Sequence, residues 1–282
     1  MEKKIRITLS KKILEILESD MDEFLIKKNT LLNLIYEKLK TEFSRVKINS
    51  DGDTQVIQFN LNKRNKENYY FFLEENNIQN ESEFFRDIIT YYALMRKKER
   101  EAFLFEREVE LLKIGIKERR VEKIIFNDKN EVEIEPYYLG CSKLELANYI
   151  FCYNIKENSW KNYKLKYINN IYLTKENFKV RDKKFIESVK KEFGPFLSKG
   201  KIVKVRLSNS GEKLFKEIRV NRPKLLEKID SIYVLECSEE KAKRYFSYFL
   251  DDAEILEPIS LRSWFEKRLE KALNKYKKIP LT

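Results

Sequence analysis

Two short alternating segments carry the residue types best suited to binding chemistry. In the first, Lys4, Arg6 and Thr8 alternate with Ile5, Ile7 and Leu9; in the second, Val56, Gln58 and Asn60 alternate with Ile57, Phe59 and Leu61. A period of two puts the apolar residues of a strand on one face and the polar ones on the other. The second segment repeats the first 52 positions on and without a gap: Ile5–Lys12 aligns with Ile57–Arg64, Ile26 with Ile78 and Thr30 with Ser82. A strand followed by two helices cannot bury its apolar face alone. Two copies complete a two-stranded ribbon, and the outward face of such a ribbon is one way to read a DNA major groove.

The composition favours a polyanionic partner. Among 282 residues, 37% are charged and the net charge is +12; each Lys or Arg placed on a phosphate releases a counterion. An AT-rich coding sequence would also raise Lys and Asn, so the positions of the charges must decide. The chain has no histidine, which removes His-based acid–base chemistry, Ser-His and Cys-His pairs, and zinc sites that need imidazole. Cys141, Cys152 and Cys237 form no C-x-x-C and are odd in number, as expected of reduced thiols in the cytoplasm. No apolar run approaches the roughly 18 residues of a membrane span, and the start MEKKIRITLS has no signal-like apolar core. There is no Gly-rich phosphate loop and no spaced carboxylate motif. The expectation is therefore no enzyme, no cofactor, no metal and no membrane association.

The elements that must position the binding residues can be read next. Ser10 is placed to cap a helix carrying Ile13, Leu14, Ile16 and Leu17, and a second helix opens near Asn29-Thr30. Residues 44–54 read as a connection. In the second copy an aromatic helix (Tyr69, Tyr70, Phe71, Phe72) precedes one opening at Asn80–Glu83. A charged stretch over 95–113, with Arg96, Lys97, Lys98, Arg100 and Arg107, reads as a solvated connector helix. From Arg120 the texture becomes antiparallel β: strands around 121–126, 131–135 (ending at Pro136), 148–155 and 161–173. Residues 183–193 read as helix. The remainder reads as strand 201–208, turn Asn209–Gly211, strand 213–220, strand 231–236, helix 239–250, strand 253–257 and helix 260–278.

Both N-terminal copies resemble the ribbon-helix-helix family, most closely at Ile78–Asp87. The resemblance implies that outward strand residues enter the major groove, which makes Lys4, Arg6, Thr8, Gln58 and Asn60 the readers, with Val56 a departure from a polar reader. It also implies that the helix openings at Asn29-Thr30 and Glu81-Ser82 face phosphates, where the Glu81 carboxylate is out of place. A pseudo-symmetric module that only dimerises fits the same residues.

Residues Ala147–Tyr153, Ser159–Ile168 and Ile171–Thr174 are similar to the core of WYL domains. The naming tripeptide falls on Asn148-Tyr149-Ile150, and the family's Arg-x-Phe-Arg-Leu-x-Arg-Ile run reads Lys161-Asn162-Tyr163-Lys164-Leu165-Lys166-Tyr167-Ile168. The resemblance implies an Sm-like small β-barrel with a basic, aromatic face for nucleic-acid or nucleotide-like ligands, carried here by Tyr149, Tyr153, Lys161, Tyr163, Lys164 and Tyr167. Lys for Arg keeps charge and loses the bidentate fork. The tyrosines can equally be packing residues. Tyr248–Leu250, Ala253–Pro258 and the final helix resemble the C-terminal extension that follows WYL domains, and this implies ligand-facing Lys204, Arg206, Arg219 and Arg222.

The expected fold is α+β: a tandem ribbon-helix-helix module (copies 1–46 and 47–95), a linker helix 96–113, a WYL barrel 114–182, a linker 183–200, and a C-terminal dimerisation domain 201–282 with an antiparallel sheet. The expected function is a nucleic-acid-binding regulator of transcription, acting on duplex DNA and forming a homodimer. The alternative resembles accessory proteins of type VI-D CRISPR systems, which bind single-stranded RNA and modulate an effector nuclease guided by RNA. A third reading is an interaction protein with no affinity for nucleic acid.

Overall fold

The computed structural model describes residues 3–41, 53–191 and 193–277. The chain forms two compact units, Met1–Val109 and Glu110–Thr282. Most of the expected connection 44–54 lies outside the described residues.

The first unit contains β1 (Lys4–Ser10), α1 (Lys11–Phe24), α2 (Lys28–Leu39), β2 (Thr54–Asn60), α3 (Lys63–Glu67), α4 (Tyr69–Glu75), α5 (Glu81–Leu94) and α6 (Lys97–Leu104); α7 (Glu106–Glu118) begins in it and ends in the second unit. β1 and β2 pair antiparallel within the one chain, Arg6 opposite Gln58. Alternation sends Ile5, Ile7, Leu9 and Phe59 inward onto a core that includes Leu14, Leu17, Leu31, Ile35, Tyr36, Phe85 and Ile88. Tyr36 sits at its centre, with the rings of Tyr69, Phe72, Phe84 and Phe85 at 5.4–6.3 Å.

The aromatic helix of the second copy is two short helices divided at Asn68. Helical spacing buries Tyr69, Phe72 and Leu73 and exposes Tyr70 and Phe71. The single connector helix over 96–113 is also two helices, divided at Phe105. It is not simply solvated: the Arg100 guanidinium binds the buried Asp20 carboxylate at 2.6 and 3.1 Å, and the Tyr92 hydroxyl donates to the same carboxylate at 2.8 Å.

The second unit opens with β3 (Arg120–Phe126), β4 (Glu131–Cys141), β5 (Asn148–Asn154), β6 (Ser159–Lys164), a 3-10 turn (Leu165–Tyr167) and β7 (Ile168–Asn177), an antiparallel sheet in the order β6-β5-β4-β3-β7. This corrects the expected closed barrel: β6 and β7 are edges, and no ladder joins them among the described residues. Asn127 explains the path. Its side chain donates to the Lys166 carbonyl (3.1 Å) and its backbone N–H to the Tyr167 carbonyl (3.0 Å), which directs β7 onto β3. β4 does not stop at Pro136; a bulge between Pro136 and Tyr138 absorbs the missing N–H. Helix α8 (Lys183–Lys191) lays Phe185, Ile186 and Val189 on the core beside this sheet.

The rest is β8 (Ile202–Leu207), α9 (Asn209–Glu217), β9 (Lys224–Ile229), β10 (Ile232–Glu236), α10 (Glu239–Phe246), β11 (Ala253–Glu257) and α11 (Ile259–Lys277), with an antiparallel sheet β11-β8-β10-β9. The expected strand 213–220 is largely helix α9. Ser208 Oγ accepts from the Gly211 N–H at 3.0 Å and caps it. Gly211 packs so tightly that a Cβ would lie 2.2 Å from the Asp252 carbonyl oxygen, so this glycine serves close approach and not a hairpin. The fold is thus α+β with antiparallel sheets, and among the described residues no helix is long and apolar enough to cross a membrane.

Candidate nucleic-acid interface

The ribbon assembles its face from register. Lys4 lies opposite Asn60, Arg6 opposite Gln58 and Thr8 opposite Val56, and directly opposed residues share a face. Lys4, Arg6, Val56 and Gln58 are exposed, with Thr8 and Asn60 half-buried. Among the described residues, the side chains of Lys4, Arg6 and Gln58 have no ion-pair or hydrogen-bond partner. Both edges of the ribbon are occupied. Ser82 Oγ donates to the Arg6 carbonyl (3.2 Å) and Arg86 Nε to the Thr8 carbonyl (3.1 Å). On the other side the Asn33 side chain donates to the Asn60 carbonyl (2.9 Å) and accepts from the Asn62 N–H (2.8 Å). With its edges satisfied, the ribbon offers side chains, not a pairing edge.

The two helix openings differ. At α5 the Asn80 side chain accepts from the Glu83 N–H, and the first turn carries Glu81 and Glu83. The Glu81 carboxylate that fits poorly beside a phosphate is held by the Lys3 ammonium at 2.8 Å. At α2 there is no acidic residue in the first turn and no side-chain cap, and Lys27, Lys28, Asn29 and Thr30 are exposed. The opening with the weaker sequence resemblance is therefore the better prepared for an anion.

The WYL-like residues do not form one face. In the β5–β6 ladder Tyr149 opposes Lys164, Tyr153 opposes Trp160, and Cys152 opposes Lys161. Tyr149, Tyr153 and Lys164 therefore share one side of the sheet, and Lys161 and Tyr163 the other. On the first side Phe151 stacks on Trp160 at 5.0 Å, and Phe185 packs edge-on to both. Tyr149 and Tyr153 are buried, and the Arg181 guanidinium covers the Tyr153 ring at 3.7 Å. On the second side Tyr163 packs against Phe126 at 5.0 Å, and its hydroxyl accepts from Asn154 at 2.9 Å. Lys161 is paired with Glu157. Tyr167, in the 3-10 turn, keeps an exposed ring with the Lys166 ammonium 5.4 Å from its centroid.

Of the C-terminal cations, Lys204 pairs with Glu257 at 3.0 Å and Arg206 with Glu254 at 2.5 Å, across β8 and β11. Arg262 also binds Glu254, and these two guanidiniums hold that carboxyl below its ordinary range. Arg222 donates to the Phe215 and Lys216 carbonyls and closes the end of α9. Arg219 is exposed, and its side chain has no partner among the described residues.

No family model matches the chain, and no curated protein matches it. Among solved structures it superposes on a CRISPR Cas-related protein known from a crystal structure, with a TM-score of 0.77 and 14% identity over 99% of this chain and 95% of that one. The two share a fold along almost their whole lengths. Proteasome accessory factor B/C (PafBC) of Arthrobacter aurescens matches at a TM-score of 0.34 and 13% identity, over 97% of this chain and 50% of that one. That likeness is too slight to establish a common fold.

Sequence reasoning missed the carboxylates that hold the sheet's cations. Glu145 accepts from Lys164 at 2.8 Å, from Arg244 at 2.6 Å and from the Tyr149 hydroxyl. Burial pushes its carboxyl up, but Lys164, Tyr149 and Arg244 together outweigh burial and hold it below its ordinary value. Glu135 is held by Arg181 through two bonds, at 2.6 and 2.8 Å. Neither acid lies within a recognised motif. Glu122 is the reverse case: it is fully buried, neither carboxylate oxygen has a hydrogen-bond partner, and burial pushes its carboxyl up to about 8.

Proposed function

We propose that this chain is a non-enzymatic regulator that binds nucleic acid through the outward face of the ribbon, built as a tandem ribbon-helix-helix module. One observation carries the reading: Lys4 and Arg6 stand exposed on a rigid β face with no carboxylate partner among the described residues, beside Gln58, Thr8 and Val56. The set suits a major groove. Arg6 matches the O6/N7 pair of guanine, Gln58 the N6/N7 pair of adenine, and Val56 the methyl group of thymine. Lys4 and the opening of α2 suit the flanking phosphates.

In this reading the WYL-like sheet senses a nucleic-acid or nucleotide-like ligand. The chain acts as a homodimer through α11, where Leu269, Leu273 and Tyr276 are exposed at a spacing of four and three. Gel shift with duplex fragments tests the ribbon. Arg6→Ala with Gln58→Ala is expected to weaken binding at least tenfold; unchanged binding sinks the proposal.

A second reading is favoured by the whole-length likeness to a CRISPR Cas-related protein. Here the chain is an accessory of an RNA-guided ribonuclease, and its client is single-stranded RNA. Competition between duplex DNA and single-stranded RNA at matched salt separates the two. Preference for the duplex supports regulation of transcription, and preference for the single strand supports the accessory role.

A further inference from the structure

Glu145 occupies an unusual position. It lies in a turn between β4 and β5, flanked by Leu144 and Leu146, which are 45% and 52% exposed. Its own side chain turns inward and is only 14% exposed. The turn is tied by the Ser142 N–H to the Ala147 carbonyl (2.9 Å), the Leu146 N–H to the Ser142 carbonyl (2.8 Å), and the Glu145 N–H to Ser142 Oγ (3.2 Å). This small closed loop presents one carboxylate.

Three donors from three other places converge on that carboxylate. Lys164, at the end of β6, binds one oxygen at 2.8 Å, and the Tyr149 hydroxyl from β5 donates to the same oxygen. Arg244, from α10, binds the other oxygen at 2.6 Å, with its guanidinium 4.7 Å from the Phe196 ring centroid. Two cations and a hydroxyl around a pair of oxygens form a cradle that fits the non-bridging oxygens of a phosphate as well as it fits a carboxylate. Lys164 and Tyr149 are also the residues that the WYL resemblance places at the ligand.

We propose that Glu145 is a built-in anion plug: its carboxylate fills a phosphate cradle made by Lys164, Arg244 and Tyr149, and a phosphate-bearing ligand binds by displacing it. The inference rests on the reading of the sheet as a ligand sensor and adds how that sensor is held closed. Arg244 joins the ligand site, and release of Glu145 frees the turn. The same contact that lowers resting affinity couples ligand binding to α10, because Arg244 exchanges one anion for another.

The test uses the full chain carrying Lys4→Ala, Arg6→Ala and Gln58→Ala, and compares variants only within that background, so that the ribbon's contribution is reduced and the same in each. The probe is a 5′-phosphorylated single-stranded RNA decamer with a 3′ fluorophore, read by anisotropy. Glu145→Gln removes the charge and keeps the shape, and is expected to tighten binding at least tenfold; adding Lys164→Met is expected to abolish the gain. Hydrogen exchange on the chain that retains Glu145 gives a second measure that no folding defect can obscure: saturating RNA is expected to speed exchange at the Ser142 and Leu146 amides. If Glu145→Gln binds no better while Lys164→Met weakens both forms, the sheet binds its ligand and Glu145 is only a structural tie, which overturns this inference alone. If neither form binds the RNA, the sensor reading fails and the plug with it.

Discussion

Arg6 on the ribbon and Glu122 in the five-stranded sheet are both charged-type residues with no hydrogen-bond or ion-pair partner among the described residues, and they have opposite fates. Arg6 lies in water, where a lone guanidinium costs nothing and stays available. Glu122 lies out of water, where a lone carboxylate is expensive and holds its proton instead. Between these extremes stand Lys161 and Lys164 of the sheet and Arg181 just after it, each held by a nearby acid. The contrast teaches that a net charge of +12 does not mark an interface by itself. What marks it is a cation that is exposed and has not been claimed by a carboxylate.

That contrast can be tested from its most costly element downward. Glu122 comes first. Its folded-state pKa, near 8, is raised above the ordinary 4.5, so the neutral form's contribution is fully present below about pH 4.5 and is lost as pH rises through about 8. Glu122→Met removes the titration and the unpartnered oxygens together. In denaturant unfolding, its advantage over the parent is expected to grow from near zero at pH 4.5 to on the order of 4 kcal/mol at pH 8. An advantage that does not change with pH would mean that Glu122 is ionised and partnered. Next, Arg181→Ala strips the two bonds from the buried Glu135 and is expected to cost about 2 kcal/mol by thermal unfolding; a loss within the error of the measurement would place Arg181 with the free cations instead. Last and smallest, Arg6→Ala is expected to shift stability by no more than about 0.5 kcal/mol. A larger loss would mean that Arg6 supports the fold and is not held in reserve for a ligand.

Much of the ribbon was legible because its signal is local. Alternation of period two and the repeat 52 positions on predict two paired strands with Ile5, Ile7, Leu9 and Phe59 inward, and the register agrees. The sheet was harder. Lys161 and Lys164 read as one basic patch, yet an odd spacing within a strand sends neighbours to opposite faces, a consequence already present in the numbering. Pro136 read as a strand end because a bulge that spares its missing N–H is a tertiary fact. Gly211 read as a turn residue because its reason for being glycine, the Asp252 carbonyl, lies 41 positions away. Glu145 and Arg244 were invisible for the same reason: ion pairs between distant segments leave no periodic trace.

The most direct test is the salt dependence of duplex binding, measured for the unaltered chain, for Lys4→Ala (the phosphate contact) with Arg6→Ala (the base contact), and for Lys161→Ala with Lys164→Ala. The account predicts that the ribbon pair weakens binding at least tenfold and lowers the slope of log K against log salt by about 1, the share of one lost phosphate contact. It predicts that the sheet pair leaves both quantities unchanged, because its cations are already neutralised. The opposite pattern, with the sheet pair lowering the slope and the ribbon pair leaving it intact, would contradict the account.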